Sequence, residues 1–221
     1  MATVVITGAN RGIGLEFCRQ LQARGDRVVA TCRTPSPELE ALGVRIETGV
    51  DVTRGASIES LRERLAGLPI DLLINNAGLL ERNTLEQLDV QSIRRQFEVN
   101  AIGPLRLTAA LLPQLPSGSR VVLMTSRMGS IGDNSSGDHY GYRMSKAALC
   151  MAGKSLSIDL RPRGIAVAIL HPGMVSTAMT GFTPSGTPPE EAVRNLLARI
   201  DDLTLATSGT FLHASGEELP W

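Results

Sequence analysis

The sequence predicts an α/β protein whose doubly wound, mostly parallel seven-stranded sheet carries helices on both faces. Two observations lead there. Short, near-continuously apolar strands alternate with amphipathic helices along the whole chain, and such strands are buried on both faces, as in a parallel sheet between helical layers. The composition is 43% hydrophobic and shifts nowhere, so residues 1–221 read as one domain able to bury a full core.

The first strand is the β-branched run Thr3–Thr7, which breaks at Gly8. From Gly12 the pattern turns helical, with Ile13, Phe17 and Leu21 on one face. Residues 27–31 (RVVAT) form a second strand, 38–42 a short helix, and 44–48 a third strand. In 53–67, Ile58, Leu61, Leu65 and Leu68 recur every three or four residues, which predicts a helix with one buried face. Residues 70–75 are the fourth strand, 92–112 a long helix stopped by Pro113, and 120–125 the fifth strand. A second long helix runs from Tyr142 to Leu160, followed by a sixth strand at 165–170, a helix at 190–200 and a seventh strand at 209–213. Two polar irregular segments remain, 133–139 and 178–189. Both are loops, and ligands of open α/β sheets sit among the loops at the carboxyl ends of the strands.

Basic and acidic residues balance at 22 each with no run of like charge, which argues against a nucleic-acid or anionic-membrane partner. Three separated cysteines, Cys18, Cys32 and Cys150, read as reduced packing residues, neither a disulfide framework nor a metal site. With no apolar run of membrane-spanning length and no leader-like start, the expected location is the cytoplasm.

The stretch from Ser126 to Lys146 ends in Tyr142-Arg-Met-Ser-Lys146. On a helix, Tyr142 and Lys146 share one face, and a neighbouring cation favours the phenolate, lowering a tyrosine pKa from about 10. Alone, the pair also fits an exposed helix with a snorkelling lysine. Lys146 and Lys154 are, however, the only lysines among the 22 basic residues. A second signal lies at the first strand-helix junction, Gly8-Ala-Asn10-Arg11-Gly12-Ile13-Gly14. Bare glycines at a helix N-terminus leave room for phosphate against the backbone N–H groups.

Taken together, Thr7-Gly8-x-x-x-Gly12-x-Gly14, Asn75-Asn76-Ala77-Gly78, Asn100, Ser126, Tyr142-x-x-x-Lys146 and His171-Pro172-Gly173 with Thr177 resemble the short-chain dehydrogenases/reductases over the whole chain. The segment from Ser126 and the tail GTFLHASGEELPW look like the C-factor-like and carbonyl-reductase-like branch of small members. The resemblance implies a Rossmann-type fold and an oxidoreductase that reduces aldehydes or ketones. It makes Tyr142 the general acid/base, Lys146 the group that lowers the tyrosine pKa and holds the nicotinamide ribose, and Ser126 the donor to the substrate oxygen. Asn100 would position a proton-relaying water. Asp51 and Val52 would receive the adenine, Asn76, Ala77 and Gly78 the adenosine ribose, and Pro172, Gly173, Val175 and Thr177 the carboxamide and pyrophosphate.

Ser126 and Tyr142 lie about three residues further apart than is usual in that family, the surplus falling in residues 132–137, where a loop lengthens without moving its ends. That insertion is expected to line the substrate mouth, and Ser130 is the alternative serine. At the end of the second strand Cys32 stands where an NAD-selective acid would fall, with Arg33 beside it and Arg11 in the glycine turn. Two guanidiniums without a carboxylate favour a 2′-phosphate, so the expected cofactor is NADP(H). His171 reads as a packed strand-end histidine and most of Met124, Met128, Met144 and Met151 as core, with Met128 and Met144 able to reach substrate. The loop at 178–189 is too short for a deep lid, which suggests an open site for small carbonyl compounds. The helices at 92–112 and 142–160 are the expected homodimer surface. A dinucleotide-binding signalling protein is the second reading, and sugar epimerase or dehydratase chemistry the third.

Overall fold

A computed structural model describes all 221 residues. Seven strands, β1 (Thr3–Thr7), β2 (Arg27–Thr31), β3 (Arg45–Glu47), β4 (Leu72–Asn75), β5 (Arg120–Met124), β6 (Ala166–His171) and β7 (Phe211–His213), form one sheet in the order β3-β2-β1-β4-β5-β6-β7. All six pairings are parallel, so the sheet is wholly rather than mostly parallel. Between the strands run α1 (Gly12–Ala23), α2 (Pro37–Glu40), α3 (Gly55–Arg64), α4 (Val90–Phe97), α5 (Gly103–Leu111), α6 (Tyr140–Asp159) and α7 (Pro189–Asp201).

The apolar strands divide their side chains between two cores, as a period of two requires. Val4 and Ile6 of β1 join Phe17 and Leu21 of α1 and Val193, Leu196 and Ile200 of α7 on one face. Val5 joins Ile58 and Leu61 of α3, Leu107 and Leu111 of α5 and Leu149 of α6 on the other. After β3 the chain crosses to the far side of β1, so strand order reverses between β1 and β4 and opens a crevice at their carboxyl ends.

The long helix expected over 92–112 is three segments. It begins earlier, at Val90, because the Asp89 carboxylate accepts from the Gln91 and Ser92 N–H groups, and a π-helical turn, Glu98–Ile102, separates α4 from α5. The helix holding Tyr142 starts two residues early, after three consecutive left-handed residues, Gly137, Asp138 and His139.

Candidate active site

The carboxyl ends of β4, β5 and β6 and the start of α6 bring the expected reaction residues together. Ser126 follows β5 and caps the 3-10 turn Arg127–Gly129, its Oγ accepting from the Met128 N–H at 3.2 Å. That turn lies directly on α6: a Cβ on Gly129 would come 2.8 Å from the Lys146 carbonyl carbon, so only glycine lets Ser126 approach the helix this closely. Ser126 thereby both turns the chain and faces the Tyr142 hydroxyl, the one group there that favours the phenolate. Ser130 is no substitute, since it is buried and its hydroxyl serves the Asp133 N–H and the Trp221 carbonyl.

Tyr142 and Lys146 share the buried face of α6, with the Lys146 Nζ 5.6 Å from the phenol ring centre. The lysine does not pull the tyrosine down here. Burial dominates and pushes Tyr142 up to about 12, while the Lys146 Nζ donates to the Met124 carbonyl at 2.7 Å. Burial likewise lowers Lys146 to about 8, with Cys150 acting against it.

Asn100 is fully buried in the π turn. Its Oδ1 accepts from the Leu79 N–H at 2.7 Å, and its Nδ2 donates to the Leu79 carbonyl at 2.8 Å and to Ser145 Oγ at 2.9 Å. Ser145, adjacent to Lys146 and not singled out from the sequence, passes its own hydrogen to the Tyr142 carbonyl at 2.8 Å. A Cβ on Gly78 would lie 3.6 Å from Asn100 Oδ1 and 3.8 Å from Lys146 Nζ, so both groups border the space beside that glycine.

The glycine turn ends β1 beside this group. Gly8 and Gly12 have left-handed φ values of 65° and 54°, and a Cβ on Gly14 would meet the Gly8 carbonyl oxygen at 2.3 Å. α1 has Arg11 as N-cap without a side-chain hydrogen bond and no acid in its first turn, so its first N–H groups face the crevice unneutralised. Asn76 is turned inward: its Nδ2 donates to the Thr7 and Gly8 carbonyls, and the Asn76 and Ala77 N–H groups both donate to Thr7 Oγ1. Thr177 comes from across the crevice to within 3.4 Å of where a Gly12 Cβ would be, and Arg11, Gly12, Ser176, Thr177 and Phe182 line a cleft between turn and loop. Asn10 and Ile13 are half-buried in the same turn.

Cys32 points into the core, and the residue reaching solvent after β2 is Arg33. Near it, burial raises the Asp51 pKa but hydrogen bonds from Thr53 and the charges of Arg33 and Arg54 outweigh this and hold Asp51 below its ordinary value. Val52 is buried against α5, where a Gly103 Cβ would meet its Cγ2 at 3.0 Å. Val175 is buried and bridges to Thr187, which closes the neck of the loop holding 178–189.

His171 packs at the strand end as expected, but against His213, which the sequence did not single out. The ring centres are 5.1 Å apart, and His213 Nε2 sits 3.1 Å from where a Gly173 Cβ would be. Met124 and Tyr142 are buried, whereas Met144 and Met151 are exposed on the outer face of α6. The insertion at 132–137 is clamped to α6 by Arg143, which donates to the Gly137 and Asp138 carbonyls and to Ser136 Oγ.

The chain also resembles known proteins over its whole length. The chain is 44% identical over 226 aligned residues to the 1-hydroxy-2-glutathionyl-2-methyl-3-butene dehydrogenase of Rhodococcus, covering all of both chains, and 48% identical to the C-signal protein of Myxococcus xanthus over 69% of this chain and 93% of that one. Among solved structures it resembles an NADPH-bound carbonyl reductase from chicken fatty liver (TM-score 0.91, 35% identity, 100% and 99% of the chains covered). It also resembles a carbonyl reductase from Pseudomonas aeruginosa in complex with NADP (TM-score 0.88, 31% identity, both chains fully covered). Residues 2–187 match the short chain dehydrogenase family, and the chain belongs to that family.

Proposed function

We propose that this chain is an NADP(H)-dependent carbonyl reductase that converts an aldehyde or ketone to an alcohol. The observation that carries the reading is the convergence of Ser126, Tyr142, Lys146 and Asn100 beside a glycine turn at the sheet's topological switch point. The cradle fits a dinucleotide: side chains on Gly8 or Gly14 would collide with backbone, and the open N-terminus of α1 suits a pyrophosphate. Arg33 and Arg11, both exposed, suit a 2′-phosphate. NADP-bound relatives point the same way.

When bound, the reduced nicotinamide supplies hydride. Tyr142, kept protonated by burial, gives its phenolic proton to the substrate oxygen, and Ser126 donates a hydrogen bond to that same oxygen. Lys146 would hold the ribose hydroxyls of the bound cofactor. Asn100, fixed by Leu79 and Ser145, positions the water through which Tyr142 is reprotonated. The Rhodococcus relative's name makes thioether-bearing alcohols the first compounds to assay in the oxidative direction.

Assaying aldehydes, ketones and quinones with NADPH and with NADH tests the reading. NADPH oxidation with at least some of the panel is expected, and no oxidation with any member overturns it. The likeness to C-signal supports a second reading, a signalling protein in which turnover is secondary. A biological effect that survives Tyr142→Phe would favour it. The reading also includes a cytoplasmic homodimer through the helices at about 92–112 and 142–160, which expose Leu105, Met151 and Ile158.

A further inference from the structure

Residues 130–139 leave the turn capped by Ser126 and return to the start of the helix that carries Tyr142, so this loop spans the gap between the two hydroxyl residues of the site. Its front half is fixed from outside that helix. The Gly132 N–H donates to the Trp221 carbonyl at 2.8 Å, the Asp133 N–H to Ser130 Oγ at 3.0 Å, and Arg127 Nε lies 3.5 Å from the Asp133 carboxylate. The back half holds three consecutive left-handed residues, Gly137, Asp138 and His139, at φ values of 65°, 57° and 52°. Two of these carry side chains, for which that conformation is uncommon. Nor does a side-chain cap hold the entry into α6, since His139 as N-cap makes no such bond.

Arg143 supplies that hold from within the first turns of α6. Its Nε–H is shared between the Gly137 carbonyl at 2.8 Å and the Asp138 carbonyl at 3.1 Å, and its Nη2 donates to Ser136 Oγ at 2.8 Å. The planar fork of a guanidinium lets one side chain grip three successive residues. From the other side Arg82, in the segment after Gly78, lies 3.4 Å from the Asp138 carboxylate. The loop is thereby tied to the β4 side of the crevice as well as to the β5 side.

We propose that Arg143 is a positioning residue for substrate selection: its guanidinium holds residues 136–138 as a preformed wall beside Ser126 and Tyr142, and that wall decides how bulky a carbonyl compound the site takes. The inference rests on the reductase reading above. Ser135, Ser136 and Gly137 are small and exposed, so a wall built from them sorts substrates by shape more than by charge. A wall that is already ordered gives its contacts to a bulky substrate without the cost of ordering a loop on binding.

Two variants test this from opposite sides. Arg143→Met removes the donors and keeps the apolar stem. Gly137→Ala acts from the loop: a Cβ there meets nothing within 4 Å, so the methyl disturbs only the left-handed φ and leaves α6 untouched. Each is assayed with NADPH against the smallest aldehyde and the bulkiest aryl ketone or quinone that the parent reduces. In Arg143→Met the KM of the bulky compound should rise by about tenfold or more, as expected for losing hydrogen bonds to a charged group. Gly137→Ala should move it in the same direction. For the small aldehyde kcat should stay within about twofold, because the wall does not touch the reacting atoms. Limited proteolysis should cut residues 132–139 of Arg143→Met faster than in the parent. An unchanged ratio of kcat/KM between the two compounds in both variants overturns the proposal. So does an equal fall in kcat for both compounds, since Arg143 would then act on the placement of Tyr142 and not on substrate choice. A parent protein inactive towards every carbonyl compound would overturn the reductase reading, and this role with it.

Discussion

Lys146 lies with its ammonium 5.6 Å from the Tyr142 ring centre, yet gives its hydrogen bond to the Met124 carbonyl at the end of β5. The pair is thus organised by the strand as much as by helical spacing. Burial sets both ionisations, raising the phenol to about 12 and lowering the amine to about 8. On the proposed reading, reduction needs Tyr142 protonated and Lys146 charged. The phenol stays protonated well above neutrality, so the ammonium sets the limit. The rate of reduction should be level at neutral pH and fall as pH rises through about 8. A rate that climbs through that point would contradict this assignment.

His171 gives a stability prediction on the acid side. Burial, followed by the charges of His213, Arg127 and Lys146, lowers its pKa from 6.5 to about 3, and its Nδ1 is buried without a partner. A folded pKa below the unfolded one means that the stabilisation is complete above pH 6.5 and is lost as pH falls towards 3. His171→Gln, which does not titrate, should therefore lose less melting temperature than the parent between pH 7 and pH 4.5. Equal losses would show that another group governs acid unfolding.

Gly141 sits where α6 meets a buried polar knot. A Cβ there would lie 2.5 Å from Gln96 Nε2 and 2.7 Å from Asn83 Oδ1, and those two groups are hydrogen-bonded to each other at 2.9 Å. Gly141→Ala should cost about 1–3 kcal/mol in urea unfolding, the usual range for overpacking. An unchanged midpoint would mean that the knot yields.

The positions that the sequence made readable are those where chemistry forces a residue type at a fixed spacing. Gly8, Gly12 and Gly14 answer to backbone geometry, and Tyr142 and Lys146 to one helical turn, so each is where the pattern put it. Partners joined only through the fold were not readable. Ser145 touches Asn100 from 45 residues away, and His213 meets His171 only because β6 and β7 pair in register. The direction of the tyrosine shift does not follow from the spacing, for a similar reason. Spacing gives the proximity of a cation, but the burial that outweighs it comes from the sheet and the Ser126 turn packed on α6.

Cofactor selection should respond to Arg33, the exposed cation after β2. Arg33→Asp places a carboxylate where a 2′-phosphate would lie, and loss of one charge-assisted contact is worth roughly ten- to a hundredfold. The ratio of kcat/KM for NADPH to that for NADH should fall by at least about tenfold. An unchanged ratio would remove Arg33 from phosphate recognition and leave Arg11 as the remaining candidate.

On the proposed reading the buried phenol of Tyr142 is the proton donor of a carbonyl reductase. Tyr142→Phe keeps the ring that fills the buried face of α6 and removes only the hydroxyl. Measuring NADPH binding and single-turnover reduction side by side on this variant isolates the role of the hydroxyl. NADPH affinity should be retained and reduction lost by at least about a hundredfold. Turnover near the parent rate, with NADPH bound, would contradict it.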